Sequence, residues 1–157
     1  METRKLYFAY GMNTNLTQME MRCSKAELVG AWTLPDWRLT FRGVADIEYS
    51  WKKEVHGVMW RITKDCEKSL DILEGYPNLY RKEYVPVTIG NIHNGGSVEL
   101  LMFYKMNRGD VSSPSEYYYQ CIREGYEQNG IDTKHLDTVV DDIRAGENMN
   151  EQLRLLK

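Results

Sequence analysis

Lys5-Leu6-Tyr7-Phe8-Ala9-Tyr10-Gly11-Met12-Asn13 is the stretch on which the reading of the fold turns. From Lys5 to Tyr10 it is short and aromatic, and it is bounded by Gly11, so it predicts a first strand. Beyond the glycine, Asn13 or Asn15 is placed to cap a helix to about Cys23, with Leu16, Met19 and Cys23 spaced by three and four. A strand that enters a helix through a glycine turn points backbone amides into open space, where they can cradle a carboxylate or an oxyanion. The same residues also suit a plain strand-to-helix connection.

Outward from this stretch the chain alternates between the two periodicities. Val29, Ala31, Leu34, Trp37, Leu39 and Phe41 make residues 26–41 strand-like, with a turn predicted at Pro35-Asp36. Val55 to Ile62 is another strand. Thr63 caps a helix over Lys64 to Leu73, with Cys66, Leu70 and Leu73 as its apolar stripe and Gly75 as its stop. Tyr84–Ile89 and Val98–Met106 read as strands, joined through the hairpin signal Asn94-Gly95. Ser113-Pro114-Ser115-Glu116 reads as cap, first helical position and capping box of a helix to about Asn129, which Gly130 ends. Leu136, Val139, Val140 and Ile143 support one more helix, closed by Gly146. Five or six strands interleaved with helices predict an α+β fold, a mixed sheet or small β-barrel with helices packed outside, and not a doubly wound α/β sheet. The domain is expected over residues 1–146, with 147–157 as a polar C-terminal tail ending in Leu153, Leu155 and Leu156.

Composition bounds the function. The 157 residues suit one domain with a real core, and a net charge of −3 gives no electrostatic reason to expect a nucleic-acid or membrane partner. No run approaches the roughly 20 apolar residues of a membrane span. Met1-Glu2-Thr3-Arg4-Lys5 leads straight into the first strand and not into a signal peptide. Cys23, Cys66 and Cys121 are far apart and odd in number, so no closed disulfide framework and no zinc pair is expected. The expectation is a soluble protein of a reducing compartment, the cytoplasm.

Most catalytic signatures are missing: no phosphate-binding glycine loop, no metalloprotease helix, no nucleophile elbow. His56, His93 and His135 lack partners at metal-ligand spacing; His93 and His135 read as surface residues and His56 as half-buried. A Cys–His pair, which meets only in space, stays open, although each cysteine already fits an amphipathic pattern. Glu74 is the second oddity after the glycine turn. Directly before the helix stop it sits at the negative end of the helix dipole, where a carboxylate is disfavoured by about 0.3–1 kcal/mol. That position, with partial burial, raises a carboxyl pKa toward acid–base work, although a surface glutamate can also bear so small a cost. The 11 tyrosines, Tyr117-Tyr118-Tyr119 among them, suit a polar pocket or core rings with wet hydroxyls. No basic cluster accompanies them to make a base-stacking groove.

The order of segments resembles the γ-glutamylcyclotransferase-like (AIG2-like) family: YFAYGMN (7–13), HGVMWRI (56–62), LDILEGYPNLY (70–80), FYKM (103–106) and PSEYYYQCIREGYEQNGI (114–131). The resemblance covers residues 6 to about 136, and the first and third segments together are its specific part. It implies a small mixed β-barrel of five to seven strands with flanking helices. It also implies an enzyme that cyclises γ-glutamyl amino acids or amines to 5-oxoproline with release of the free amine. The family's catalytic glutamate matches Glu74, its substrate-cradling turn matches Tyr10, Gly11, Met12 and Asn13, and its cavity tyrosines match Tyr80, Tyr104 and Tyr118. Met12 stands where the family usually has serine: the backbone donors survive, a hydroxyl is lost and a bulkier side chain enters.

Such a reaction accords with the missing motifs. The attacking α-amine belongs to the substrate, so a five-membered lactam can close with no protein nucleophile, no metal and no cofactor. Near-attack folding of the substrate is worth roughly 7–11 kcal/mol. An amine with a pKa near or above about 8 is mostly protonated at neutral pH, and one carboxylate can take its proton and return one to the departing amine. Two other readings stand beside this one. One is a related γ-glutamyl lyase acting on a larger biosynthetic or isopeptide substrate. The other is a non-catalytic small-molecule binding module on the same scaffold, for which Met12 argues and against which the retained Glu74 argues. Nothing in the sequence sets an oligomeric state.

Overall fold

The aromatic stretch forms strand β1 (Lys5–Ala9). Its side chains alternate between two buried clusters: Leu6 and Phe8 belong to one, Tyr7 and Ala9 to the other. A strand covered on both faces is apolar throughout, which is why β1 carries no polar alternation. The computed structural model describes residues 3–157; Met1 and Glu2 of the opening pentapeptide lie outside them.

After β1 come α1 (Leu16–Arg22), the long hairpin β2 (Glu27–Arg42) and β3 (Val44–Ile62), α2 (Lys64–Glu74), β4 (Tyr80–Ile89), β5 (Ser97–Met106), α3 (Glu116–Gln128) and α4 (Lys134–Leu155). The five strands form one mixed sheet in the order β2-β3-β1-β5-β4, with β1 and β5 parallel and the other neighbours antiparallel. The expected α+β class is therefore the observed one. The ladder does not close into a ring among the described residues; β2 and β4 are both edges. The sheet curls instead, so that Trp37 of β2 packs edge-on against Phe103 of β5 at 5.0 Å. Residues from α3 and α4 (Tyr119, Ile122, Tyr126, Leu136, Val140) cover one face, and Met19 and Cys23 with Cys66 and Leu70 of α2 cover the other.

Several local expectations are corrected. Pro35-Asp36 is not a turn: β2 runs through it as a register shift, with Asp36 at φ +68° accepting the Lys52 amide. The true reversal is at Gly43, φ +78°, so β3 begins at Val44, well before Val55. Asn94-Gly95 does lie between β4 and β5, but inside a longer connection containing a 3₁₀ turn over Ile92–Asn94. Ser115, not Ser113, caps α3 by accepting the Tyr118 amide; Ser113 is bound instead to the Glu147 carboxylate. Gly146 does not stop α4, which continues to Leu155. A glycine inside a helix costs only about 1 kcal/mol, whereas a stop needs a left-handed residue there.

The cysteine expectation is overturned. Cys23 and Cys66 are joined as a disulfide that links the end of α1 to the first turn of α2, and Cys121 is free and buried. Forty-three residues of sequence separate the pair, and only the fold brings them together. With the bond goes the cysteine argument for a reducing compartment. Among the described residues no helix is long and apolar enough to cross a membrane.

Candidate active site

Glu74 owes its direction to helical geometry. Cys66 and Leu70 are the buried positions of α2, and the next residue on that row, four further on, is Glu74. Leu73, expected in the apolar stripe, is 52% exposed instead. The helix is set at both ends: the Thr63 hydroxyl accepts the Cys66 amide at 3.1 Å, and Gly75, at φ +62°, forms the left-handed cap directly after Glu74. Its flank is bound to the sheet by Lys82, which contacts Glu67 at 2.8 Å and Asp71 at 2.9 Å, and by Lys5 on Glu67.

The glycine turn is held as firmly. A 3₁₀ turn over Met12–Thr14 follows Gly11, and Thr14 returns both its amide and its hydroxyl to the Gly11 carbonyl, at 3.0 and 2.8 Å. Trp60 Nε1 donates to the Asn13 carbonyl at 3.0 Å, while Asn15 Nδ2 donates to the Cys121 carbonyl of α3 at 2.9 Å. The Met12 and Asn13 amides lead the turn and therefore have no acceptor within it. Gly11 itself is required by close approach: a Cβ there would sit 2.9 Å from the Tyr118 hydroxyl and 3.1 Å from Ala45 Cβ.

Between the end of α2 and this turn lies a cavity of about 320 Å³, counted with its open mouth. Every residue singled out in the sequence lines it: Glu74, Tyr10, Gly11, Met12, Asn13, Tyr80, Tyr104 and Tyr118. Tyr7, Phe8 and Ala45 line it too and were missed. Tyr7 and Phe8 lie inside the quoted opening stretch but read there as ordinary strand residues. Ala45 carries no sequence signal, because what it contributes is backbone.

Hydrogen bonding sorts the five cavity tyrosines into two kinds. Tyr10 donates to the Tyr104 carbonyl, Tyr80 donates to the Ala45 carbonyl at 3.0 Å, and Tyr104 donates to Asp71 Oδ1 at 2.6 Å. Those three protons are spent on the wall. Tyr7 and Tyr118 are acceptors instead: Tyr7 receives Asn13 Nδ2 at 3.1 Å, and Tyr118 receives the Ala45 amide at 3.1 Å. Their own phenolic protons have no acceptor among the described residues. Of the consecutive tyrosines, Tyr117 is exposed, Tyr118 enters the cavity, and Tyr119 is buried with its hydroxyl on Asp137.

The carboxyl of Glu74 makes no hydrogen bond among the described residues. Burial raises its pKa from the ordinary 4.5 to about 7, and the positive charge of Arg22 opposes that rise without cancelling it. Burial also raises the phenols, Tyr118 to about 12, with the Glu74 charge adding to the effect at Tyr7, Tyr80 and Tyr118. All of these phenols stay protonated at neutral pH, while Glu74 is poised between its two forms. Among the described residues no cluster of three or more His, Cys, Asp or Glu side chains is arranged to hold a metal ion.

An α+β scaffold carrying one titratable carboxyl in a tyrosine-walled cavity defines a class, that of small-molecule sites equipped for proton transfer. Comparison with known proteins narrows it. Residues 7–123 match the family model described as Gamma-glutamyl cyclotransferase, AIG2-like, and the chain belongs to that family. Gamma-glutamylcyclotransferase of Bos taurus is 30% identical over 138 residues, covering 80% of this chain and 72% of that protein. The Homo sapiens protein of the same name is 29% identical over the same length, with the same coverage. A solved structure titled "Gamma-glutamyl cyclotransferase" superposes with a TM-score of 0.73 at 26% identity, covering 87% of this chain and 86% of that one.

Proposed function

We propose that the protein cyclises a γ-glutamyl amino acid or amine to 5-oxoproline and releases the free amine, with Glu74 as the acid–base group. The observation that carries this reading is the placement of a half-buried carboxyl, with a pKa of about 7 and no hydrogen-bond partner among the described residues, in one cavity with the Gly11–Asn13 turn.

The proton balance follows from the chemistry. The substrate enters with its α-ammonium, and ionised Glu74 accepts a proton from it. The freed nitrogen attacks the γ-carbonyl carbon, a C–N bond forms, and the former carbonyl oxygen gains negative charge. Tyr7 and Tyr118 have protons to donate to that oxygen or to the substrate carboxylate, and the Met12 and Asn13 amides lie in the same wall. Collapse breaks the bond to the departing amine as Glu74 hands a proton to its nitrogen. Two protons leave the attacking nitrogen and two end on the departing amine, so a carboxyl titrating near neutrality can relay them in both directions. Tyr10, Tyr80 and Tyr104, whose protons are committed, shape the wall.

The test is release of 5-oxoproline from a panel of γ-glutamyl amino acids and amines. Glu74→Gln keeps the volume and removes the titration, and its expected loss in kcat is roughly 10²–10⁴-fold. Turnover by that variant near the wild-type rate would remove Glu74 from the mechanism.

A further inference from the structure

Two segments carry the two halves of the Glu74 cavity, and one covalent bond ties them together. On one side the Gly11–Asn13 turn leads into α1, which ends at Arg22; on the other, α2 ends at Glu74. The Cys23–Cys66 disulfide joins the residue after α1 to the first turn of α2. From that bond, contacts run to the cavity in both directions. Arg22, next to Cys23, donates from Nη1 to Asn13 Oδ1 at 2.9 Å, and Asn13 Nδ2 donates to the Tyr7 hydroxyl at 3.1 Å. Cys66, Leu70 and Glu74 follow one another at four-residue intervals on one row of α2. Asn13, Tyr7 and Glu74 all line the cavity.

The bond is within reach of solvent. Cys23 is 6% and Cys66 5% exposed, and both open into a depression of about 420 Å³, counted with its mouth, that shares no lining residue with the Glu74 cavity. Arg22, Lys25 and Asp65 line it too, and two cations against one carboxylate favour the thiolate that leaves when a disulfide is attacked. The fold does not hang on the bond. Both cysteines lie in a buried cluster with Met19, Ile62 and Leu70, where a thiol packs as a small hydrophobe. Each helix also has an anchor of its own: Asn15, the cap of α1, binds the Cys121 carbonyl, and Lys82 binds Glu67 and Asp71 of α2. Cutting the bond therefore frees one end of each helix and leaves the rest in place.

We propose that Cys23–Cys66 is a thiol-exchange site, a redox switch that takes a dithiol reductant and sets how Glu74 stands against the Gly11–Asn13 turn, the oxidised form being the more active. One thiolate of the reductant attacks a sulfur of the pair and forms a mixed disulfide with it. The Cys23–Cys66 bond breaks, and the other cysteine leaves as a thiolate that takes a proton. The second thiol of the reductant then displaces the first cysteine, which also ends as a thiol, and the reductant departs as a cyclic disulfide. Two electrons and two protons pass from reductant to protein. The exchange needs no substrate; its effect on turnover rests on the cyclotransferase reading.

The test uses the whole protein in oxidised and in reduced dithiothreitol. Thiol titration after quenching and denaturation should count one cysteine, Cys121, in the first and all three in the second. The reduced protein should stay folded by circular dichroism while kcat for 5-oxoproline release falls roughly ten- to a hundredfold, the cost of a small misplacement of reacting groups, and reoxidation should restore it. Amide NMR resonances of Gly11–Asn13 and Glu74 should shift between the two states, a readout that needs no turnover. The double variant Cys23→Ser, Cys66→Ser should run at the reduced rate and ignore dithiothreitol. A count that oxidised dithiothreitol cannot bring to one, or that excess reductant cannot raise in the folded protein, overturns the proposal. So does a reduced form with unchanged kcat, a set of shifts confined to the neighbours of the two cysteines, or a double variant that still responds to reductant. Failure to release 5-oxoproline in both states, with the resonances shifting as expected, overturns the cyclotransferase reading and leaves the exchange site standing.

Discussion

Glu74→Gln should melt higher than the wild type, by a margin that grows with pH. In the unfolded chain this carboxyl ionises at its ordinary value of 4.5, and in the folded protein it keeps its proton to about 7. Between those values the folded state binds more protons, so stability falls as pH rises; the penalty is nearly absent at pH 4 and complete above about pH 7. The gap is 7 − 4.5 = 2.5 pH units, from the folded and ordinary values. At about 1.4 kcal/mol per unit this makes ~3.5 kcal/mol an upper bound, since the residue keeps some contact with solvent. For a domain of this size 1 kcal/mol moves the melting temperature by about 2–4 °C, so the variant should gain up to roughly 7–14 °C at pH 8 and almost nothing at pH 4. Melting curves of both proteins across that range, by calorimetry or tryptophan fluorescence, give the answer directly. A margin that does not change with pH would show the carboxylate to be solvated, and the argument for its acid–base poise would fail with it.

Three further outcomes follow from the same geometry. In the wild type the acid limb of kcat/KM should bend near pH 7 and fall about tenfold per unit below it, since the ionised form of Glu74 takes the first proton; a limb bending near 4.5 would contradict the burial of the group. Gly11→Ala pushes a methyl into the Tyr118 hydroxyl and Ala45, so kcat/KM should drop by roughly 10²-fold in a 5-oxoproline release assay, while the melting temperature changes little. Asp46 is fully buried, bound to Arg42 at 2.9 Å, to Lys105 at 3.3 Å and to the Met106 amide at 2.9 Å. Asp46→Ala strands those groups and should cost about 3–5 kcal/mol in urea unfolding, as breaking a buried ion pair does.

Much of the site could be read from local patterns. The aromatic run ending at Gly11 determines a strand and a turn, and the Thr63 cap with Gly75 determines a helix whose last residue is Glu74. These are short-range matters of propensity, capping and backbone freedom, and they depend on neighbours within a few positions. Even the inward direction of Glu74 is latent in the spacing of Cys66, Leu70 and Glu74, although Leu73 was the residue expected to turn inward. Tertiary structure decided the rest. Only the return of β3 past α3 and β4 places Ala45, with its amide on Tyr118 and its carbonyl on Tyr80, in the cavity wall. Only the packing of α1 against α2 joins Cys23 to Cys66 and brings the Arg22 charge close enough to act on the Glu74 carboxyl. Which tyrosine protons are spent and which are free likewise depends on acceptors 33 to 94 positions away in the chain. A sequence specifies local backbone geometry through contacts a few residues apart, whereas the electrostatics of a buried group are a sum over everything the fold brings near it.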